Sequence, residues 1–148
     1  MKVITIKNDI IPFDGYMAIT IWPFIFVKRK AWGRFNEKEK RHELIHCHQQ
    51  IETHVVSLML LVLLASFGLF SWWWVLTFPL VYFAFYGLEY LVRLVIYGFN
   101  GREAYRNISF EQEAYLNESD MTYLINRKLF ASWRYLFRKT YHYRQTKY

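Results

Sequence analysis

Residues 55–88 read VVSLMLLVLLASFGLFSWWWVLTFPLVYFAFYGL, and none of these 34 residues carries a formal charge. A helix needs about 20 predominantly apolar residues to cross the hydrocarbon core of a bilayer. A chain of 148 residues offers little protein with which to bury so long an apolar stretch in a soluble core. We therefore predict that this stretch is embedded in a membrane.

One glycine divides the apolar stretch. Gly68, in the sequence SFGLFS, is the residue at which we expect a long helix over residues 37–67 to end. A second helix is predicted over residues 71–98, so that the two form a transmembrane hairpin. Glu89 and Arg93 lie four residues apart in the second helix and are predicted to pair near the membrane boundary. The uncharged stretch is short for two full spans, and a single tilted span is the alternative.

The net charge of the chain is +7, and its basic residues flank the apolar stretch on both sides. Because Lys and Arg resist translocation, both ends are predicted to stay in the cytoplasm. We expect an integral membrane protein, as in the bacterial inner membrane, with the lipid bilayer as its first partner. No recognised nucleic-acid-binding motif accompanies the basic residues, so nucleic acid is not an expected partner. The first residues lack a long apolar run, and no cleaved signal peptide is expected.

The sequence on either side of the hairpin predicts two smaller zones within a single, mainly α domain spanning residues 1–148. Residues 1–35 contain the β-rich runs VITI, YMAITIW and FIFVK and are predicted to form an antiparallel ribbon or sheet. Residues 100–148 are expected to form helices on the cytoplasmic side or at the membrane surface. Ser109 and Gln112 match a capping box at the start of one such helix. The later segment LINRKLFASWRYLFRKTYHYRQ has the spacing of an amphipathic helix, which could lie on the membrane surface or equally pack against the rest of the domain.

The sequence RHELIHCHQQIE, residues 41–52, precedes the apolar stretch and contains the motif HExxH. Residues four apart lie on one face of a helix, so His42 and His46 can both bind a single zinc ion. Glu43 is rotated away from that face but can reach a water bound to the metal. Zinc lowers the pKa of such a water to about 7, and a glutamate can pass its proton to a leaving amine. We predict His42 and His46 as ligands and Glu43 as the general base.

A catalytic zinc normally has three protein ligands and a water, so a third ligand is needed. No glycine follows the motif to turn the chain, and the helix should therefore continue and carry Glu52 away from the metal-binding face, which leaves it as a possible reserve ligand or as a residue that supports a ligand. His48, two residues past His46, lies on the far side of the helix. The better donor is the later segment FEQEAY, residues 110–115, on a helix predicted after the hairpin.

Together the two segments resemble the gluzincins, the thermolysin-like zinc proteases whose third ligand is a glutamate on a later helix. They look most like the integral-membrane branch, which includes the CAAX prenyl proteases and the heat-shock membrane proteases. That branch commonly carries Glu-x-x-Ala-Asp after HExxH. The resemblance implies Glu111 as the third ligand, with Ala114 matching the alanine and Glu113 as a reserve ligand. Tyr115 stands where the family has an aspartate that supports the first histidine, and its hydroxyl would have to supply that support.

The resemblance implies a very small zinc metallopeptidase acting on a peptide or a membrane protein. In gluzincins an edge strand above the zinc holds an extended peptide, and YMAITIW is the matching candidate. Arg106, His142 and several tyrosines are available to stabilise an oxyanion. Two other interpretations stay open. A non-catalytic membrane protein could use the metal structurally, as a subunit or anchor of a larger complex. Glu43-x-x-His46 is also half of a di-iron carboxylate signature.

Overall fold

The computed structural model describes residues 2–12 and 15–138 of the chain. This part of the protein is mostly helical, with a small three-stranded sheet near the N-terminus and two long apolar helices. The prediction of a mainly helical protein with an N-terminal β-rich zone is confirmed.

The sheet has three strands, with β3 between the other two. They are β1 (Ile4–Asn8), β2 (Ala18–Ile21) and β3 (Phe24–Lys28). β2 and β3 form an antiparallel hairpin, but β1 pairs with β3 in parallel, so the prediction of an antiparallel sheet is wrong for β1. The outer edge of β2 is partly occupied, because the carboxamide of Gln50 bonds to Thr20 O and to Trp22 N–H. β1 lies along the edge of β3 that β2 leaves free.

Helix α1 (Glu37–Ser66) begins after Asn36, whose side chain accepts a hydrogen bond from Lys38 N–H. It ends shortly before Gly68, whose φ of +72° is a left-handed conformation that favours glycine. The prediction of a long helix ending at this glycine is confirmed.

The two halves of α1 differ in which side chains are buried. The buried side chains of its first half are mostly polar, namely His42, Glu43, His46, Gln49, Gln50 and Glu52. The second half exposes large apolar side chains, such as Met59 with 67% and Val62 with 64% of its surface accessible. A core helix of a soluble protein would show the opposite distribution, with its apolar side chains buried.

After α1 the chain returns through α2 (Trp72–Thr77), a short 3₁₀ turn and α3 (Val81–Ile96). The side chain of Ser71 caps α2 by accepting a hydrogen bond from Trp73 N–H. By length and composition, α1 and the continuous stretch Trp72–Ile96 are each long and apolar enough to cross a membrane. The two predicted apolar helices are therefore present.

Helix α3 presents a polar, aromatic face to the rest of the protein. Its inward residues recur at helical spacing and are Tyr82, Tyr86, Glu89, Tyr90 and Arg93. Glu89 accepts two hydrogen bonds from Arg93, as predicted. It also accepts from the N–H and the hydroxyl of Ser109, at 2.8 and 2.6 Å. Because Ser109 is the first residue of α5 (Ser109–Asn117), Glu89 positions the start of that helix.

The predicted capping box at the start of α5 is wrong. The N-cap is Ile108, and the Ser109 hydroxyl donates to Glu89 of α3 instead of capping its own helix. Gln112 turns back and donates to Asn107. A carboxylate from another helix therefore replaces the local cap, after the short helix α4 (Gly101–Arg106) has brought the chain back to α3.

Two small buried apolar clusters hold these elements together. The cluster between β3 and α1 consists of Ile25, Val27 and Cys47. The cluster between α3 and α5 consists of Tyr82, Ile108 and Phe110. Because both clusters are small, polar contacts have a large share in fixing α1, α3 and α5 relative to one another.

Beyond α5 the described chain contains α6 (Tyr123–Asn126) and a 3₁₀ turn over Ala131–Tyr135. The predicted long amphipathic helix is absent from residues 124–138, and the rest of that segment lies outside the described residues. Arg127 is extended and Phe130 has a left-handed φ of +54°, so both interrupt the helix. The side chain of Arg127 instead reaches inward to form buried ion pairs with α1 and α5.

Candidate metal centre

Three buried donor groups meet between α1 and α5. His42 Nε2 and His46 Nε2 are 3.1 Å apart; Glu111 Oε2 lies 3.4 Å from the first nitrogen, and Glu111 Oε1 lies 3.3 Å from the second. Donors bound tetrahedrally to zinc at about 2.0–2.1 Å are separated by about 3.3–3.4 Å. The three side chains could therefore hold a metal ion with little rearrangement.

The outer ring nitrogens of the two histidines are both engaged. His42 Nδ1 is 2.8 Å from Glu118 Oε2, and because an ionised carboxylate can only accept, Nδ1 carries the proton. His46 Nδ1 is likewise 2.8 Å from Gln49 Oε1. The Nε2 atoms of the two rings then face each other and Glu111. An ionised carboxylate facing two imidazole nitrogens favours a positive charge between them, either a shared proton or a metal cation.

Gln49 is oriented by its remaining contacts. Its Nε2 donates to Phe110 O and to Glu113 Oε2, each at 3.0 Å. Its Oε1 is therefore the atom that faces His46 and the hydroxyl of Tyr82. The carboxamide thus holds the ring of His46 in the orientation that metal binding requires.

Glu111 is the most enclosed of the three ligands, with 2% of its surface exposed. The hydroxyl of Tyr86 donates to Oε1 at 2.8 Å, while Oε2 has no hydrogen-bond partner. Burial raises the pKa of Glu111, but His46 and His42 outweigh that effect and hold the pKa well below its usual value. The carboxylate is therefore ionised and has one unpartnered oxygen that a cation would satisfy.

Glu43 lies beside the three donors without being one of them. Its carboxylate accepts a hydrogen bond from the Thr20 hydroxyl of β2 at 2.7 Å. Glu43 is buried and lines the same cavity as the donors. A carboxylate in this position can accept a proton from water in the cavity, while Thr20 limits its movement.

A cavity of about 320 Å³ adjoins the centre, with β2 on one side and α3 on the other. The strand that sequence analysis proposed as a peptide-binding edge therefore borders the donors. The aromatic residues of the lining are Tyr16, Tyr82, Phe83, Tyr86, Tyr90 and Tyr105. Five tyrosines, which are candidates for oxyanion stabilisation, line the cavity: three from α3, one from α4, and Tyr16 just before β2. Arg106 is not among the lining residues, and His142 lies outside the described residues.

The other predicted site residues lie around the donors rather than among them. Glu52 and Glu113 both bind the guanidinium of Arg127. Glu113 reaches the centre only through the carboxamide described above. Tyr115 packs its ring edge-on against His42, with the centroids 4.6 Å apart, so its contact with the histidine is between rings.

Glu118 is the chief site residue that sequence analysis missed. It follows directly after α5, seven residues beyond Glu111, and no motif spacing marks it. Thr20 and Tyr86 were also missed, since their contacts depend on how β2 and α3 pack. The contact of Gln49 with His46 could have been predicted, because residues three positions apart lie on the same face of a helix.

A centre of two histidines and one glutamate is typical of catalytic zinc sites, which keep a fourth position open. No protein-family model, curated protein or solved structure matches this chain. The chemistry of the centre follows from its own residues, which offer two imidazole nitrogens, one carboxylate and a nearby base.

Proposed function

We propose that the protein is a membrane-bound zinc metallopeptidase that hydrolyses peptide bonds at the cytoplasmic face of a membrane. The observation that carries this proposal is a three-donor centre next to a separate buried carboxylate. His42, His46 and Glu111 supply the donors, and Glu43 faces the same cavity. A structural zinc site would use four protein ligands and would need no base.

The donor chemistry favours zinc over the hard cations. Ca²⁺ and Mg²⁺ are bound almost entirely through oxygen atoms. Two imidazole nitrogens and a carboxylate are instead a donor set typical of zinc, and here they lie close enough together to hold one ion. When bound here, zinc would polarise the scissile carbonyl and acidify a water molecule.

Glu43 is assigned as the general base. Its carboxylate accepts a proton from the attacking water and passes it to the leaving amine as the C–N bond breaks. The Thr20 hydroxyl holds one carboxylate oxygen at 2.7 Å, so the other oxygen remains available for the proton. Because Lys28 N–H donates to Met17 O, the register directs the main-chain groups of Ala18 away from β3, where an extended peptide can pair with them.

The exposed surface supports membrane insertion. Residues 55–66 of α1 and the outward face of α3 present more contiguous apolar surface than water-soluble monomers expose. His46 precedes the uncharged stretch by about nine residues, or about 13 Å along a helix axis. The centre therefore lies near the membrane surface, and the flanking basic residues favour its cytoplasmic side.

The resemblance to gluzincins supports the same proposal. Glu111 occupies the position of the family's third ligand. Tyr115 replaces the family's aspartate, but Glu118 reaches His42 Nδ1 and supplies a carboxylate there. In this proposal the support of the first histidine has moved along the chain and has not been lost.

A structural metal site is the competing candidate. It is favoured by the position of the ligands, because they join α1 to α5, which otherwise meet mainly through polar contacts. The protein would then serve as a subunit or anchor of a larger membrane complex. The two candidates differ at Glu43, which a peptidase needs and a structural site does not.

Metal analysis and hydrolysis on one preparation test the proposal. Protein purified in detergent without a chelating tag should contain about one zinc per chain by mass spectrometry, as expected for a mononuclear site. Glu111→Ala should lose that zinc. The wild-type protein should cleave members of a synthetic peptide mixture, a chelator should stop cleavage, and zinc should restore it. Stoichiometric zinc without cleavage would favour the structural site, and absence of bound metal would overturn both candidates.

We expect Glu118→Gln to weaken zinc binding roughly 10- to 100-fold, because supporting partners of metal ligands contribute about that much to affinity. Burial raises the pKa of Glu118, but hydrogen bonds with His42 and Lys38 more than offset it and hold the pKa below its usual value. The measurement is a titration of zinc against a competing chelator. Asp120→Asn changes an exposed carboxylate two residues away and should leave the affinity unchanged. Equal affinities for Glu118→Gln and wild type would remove Glu118 from the centre.

A further inference from the structure

We propose that the cavity beside the metal centre is a pocket for one large, uncharged side chain of the substrate, aromatic or aliphatic, and that Gly87 sets its depth. This inference rests on the proposed function and specifies the substrate class of the same site. It follows from the lining of the cavity, its volume and its charge.

The lining is aromatic, and its polar atoms near the centre are already engaged. The hydroxyl of Tyr86 donates to Glu111, and that of Tyr82 bonds to Gln49. These two residues therefore contact a bound side chain mainly through the carbon atoms of their rings. Tyr16 and Tyr105 pack edge-on with centroids 5.5 Å apart and add further ring surface. A lining of this kind favours burial of apolar surface and edge-to-face contacts with another ring.

The volume suits a single side chain. An apolar cavity of about 150 Å³ is enough to hold benzene. The cavity here, at about 320 Å³, lies at the lower end of the range for small-molecule pockets. It has room for one aromatic or large aliphatic side chain together with the adjoining peptide group at the metal.

The charges of the lining disfavour a charged side chain. Among the described residues, no lysine or arginine lines the cavity, so an acidic side chain would find no partner. The lining does contain Glu43 and Glu111, but both carboxylates already have roles. Glu111 belongs to the metal centre, and Glu43 accepts from Thr20 and is needed for the proton. A basic side chain would therefore be buried without a free carboxylate, which is costly.

Gly87 lies on the part of α3 that faces the cavity. Phe83, four residues before it, and Tyr90, three residues after it, line the same space, as helical spacing requires. A Cβ atom added at Gly87 would meet no atom within 4 Å, so a larger side chain can be accommodated there. We expect a leucine at this position to extend from this open space into the cavity.

Binding of two hydroxamates to the zinc-loaded, full-length protein in detergent tests the pocket without requiring turnover. Acetohydroxamate and phenylacetohydroxamate carry the same metal-binding group and differ by one phenyl ring. We expect the phenyl compound to bind roughly tenfold tighter or more by calorimetry, as burial of an aromatic ring predicts. Equal affinities would overturn the inference while leaving the metal centre intact. Binding of neither compound would overturn both the pocket and the proposed zinc site.

Two variants locate the effect. Gly87→Leu should abolish the advantage of the phenyl compound over acetohydroxamate. Ala84→Leu is the matched control, because Ala84 lies on the same helix but is exposed and does not line the cavity. It should keep the full advantage. If Gly87→Leu also keeps that advantage, the phenyl ring binds elsewhere and the assignment of this cavity is wrong.

Hydrolysis separates this inference from the proposed function. Peptides that differ only in one residue next to the cleaved bond should be cleaved roughly tenfold faster or more with phenylalanine or leucine than with alanine, lysine or aspartate. Cleavage without that preference would overturn the pocket and keep the peptidase. Phenyl-dependent hydroxamate binding without any cleavage would keep the pocket and overturn the peptidase.

Discussion

Glu43→Gln is expected to reduce hydrolysis roughly 100- to 10,000-fold while leaving zinc bound, since a positioned general base contributes about that much to rate. Glutamine has almost the same shape as glutamate, and its carbonyl oxygen can still accept the hydrogen bond from Thr20. It cannot take a proton from water at neutral pH. The loss should therefore appear in kcat, with the fold and the metal centre retained.

The measurement pairs kcat with zinc content for each variant. Glu37→Gln is the control, because Glu37 lies on the same helix with 78% of its side chain exposed. It should match the wild type in both quantities. Full activity of Glu43→Gln with zinc present would show that another group serves as the base. Loss of zinc from Glu43→Gln would instead assign this carboxylate to the binding of the metal.

Arg127→Met is expected to lower the free energy of unfolding by about 3–5 kcal/mol, the usual cost of removing one partner from a buried ion pair. The guanidinium bonds to Glu52 and to Glu113, and the side chains of the three residues are at most 8% exposed. Methionine would fill much of the space but would leave two buried carboxylates close together. Because Glu113 also accepts from Gln49, which orients His46, zinc affinity should fall as well.

Unfolding of the purified protein in mixed detergent micelles, followed by circular dichroism, measures this loss. A triple variant that adds Glu52→Gln and Glu113→Gln to Arg127→Met should recover most of the stability, because no buried charge is then left unpaired. Arg134→Met, at an exposed arginine of the same segment, should change little. If Arg127→Met is as stable as Arg134→Met, the ion pairs do not hold the C-terminal segment in place.

The features of the fold that could be predicted from sequence are those with a local cause. The long helix, its end near Gly68 and the Glu89–Arg93 pair follow from composition and spacing within one segment. The parallel pairing of β1 has no such cause. It depends on contact between β1 and β3, whose paired residues lie about 20 positions apart in the sequence. The cap of α5 failed as a prediction for the same reason, because Glu89 reaches it from another helix.

The residues of the candidate site also fall into two groups, those predicted by local spacing and those whose contacts depend on packing. His42 and His46 lie four residues apart on one helix, and that spacing alone predicts a shared ligand. Glu111 came from a resemblance, and the structure brings it to the two imidazoles. Glu118 could not be predicted, since its contact with His42 depends on the angle between α1 and α5 and on the turn that follows α5. Glu118 lies beyond the end of α5, so helical spacing does not predict which way its side chain points.

The single helix α1 carries both the imidazoles and a set of exposed apolar side chains. Any residue inserted between Gln50 and Val55 would turn the imidazoles by about 100° relative to the apolar half and shift them by about 1.5 Å. The imidazoles would then no longer face Glu111. Replacing a leucine of the apolar half with another aliphatic residue changes neither the rotation of the imidazoles about the helix axis nor their position along it. The helix should therefore accept many changes in the identity of its residues and no change in their number.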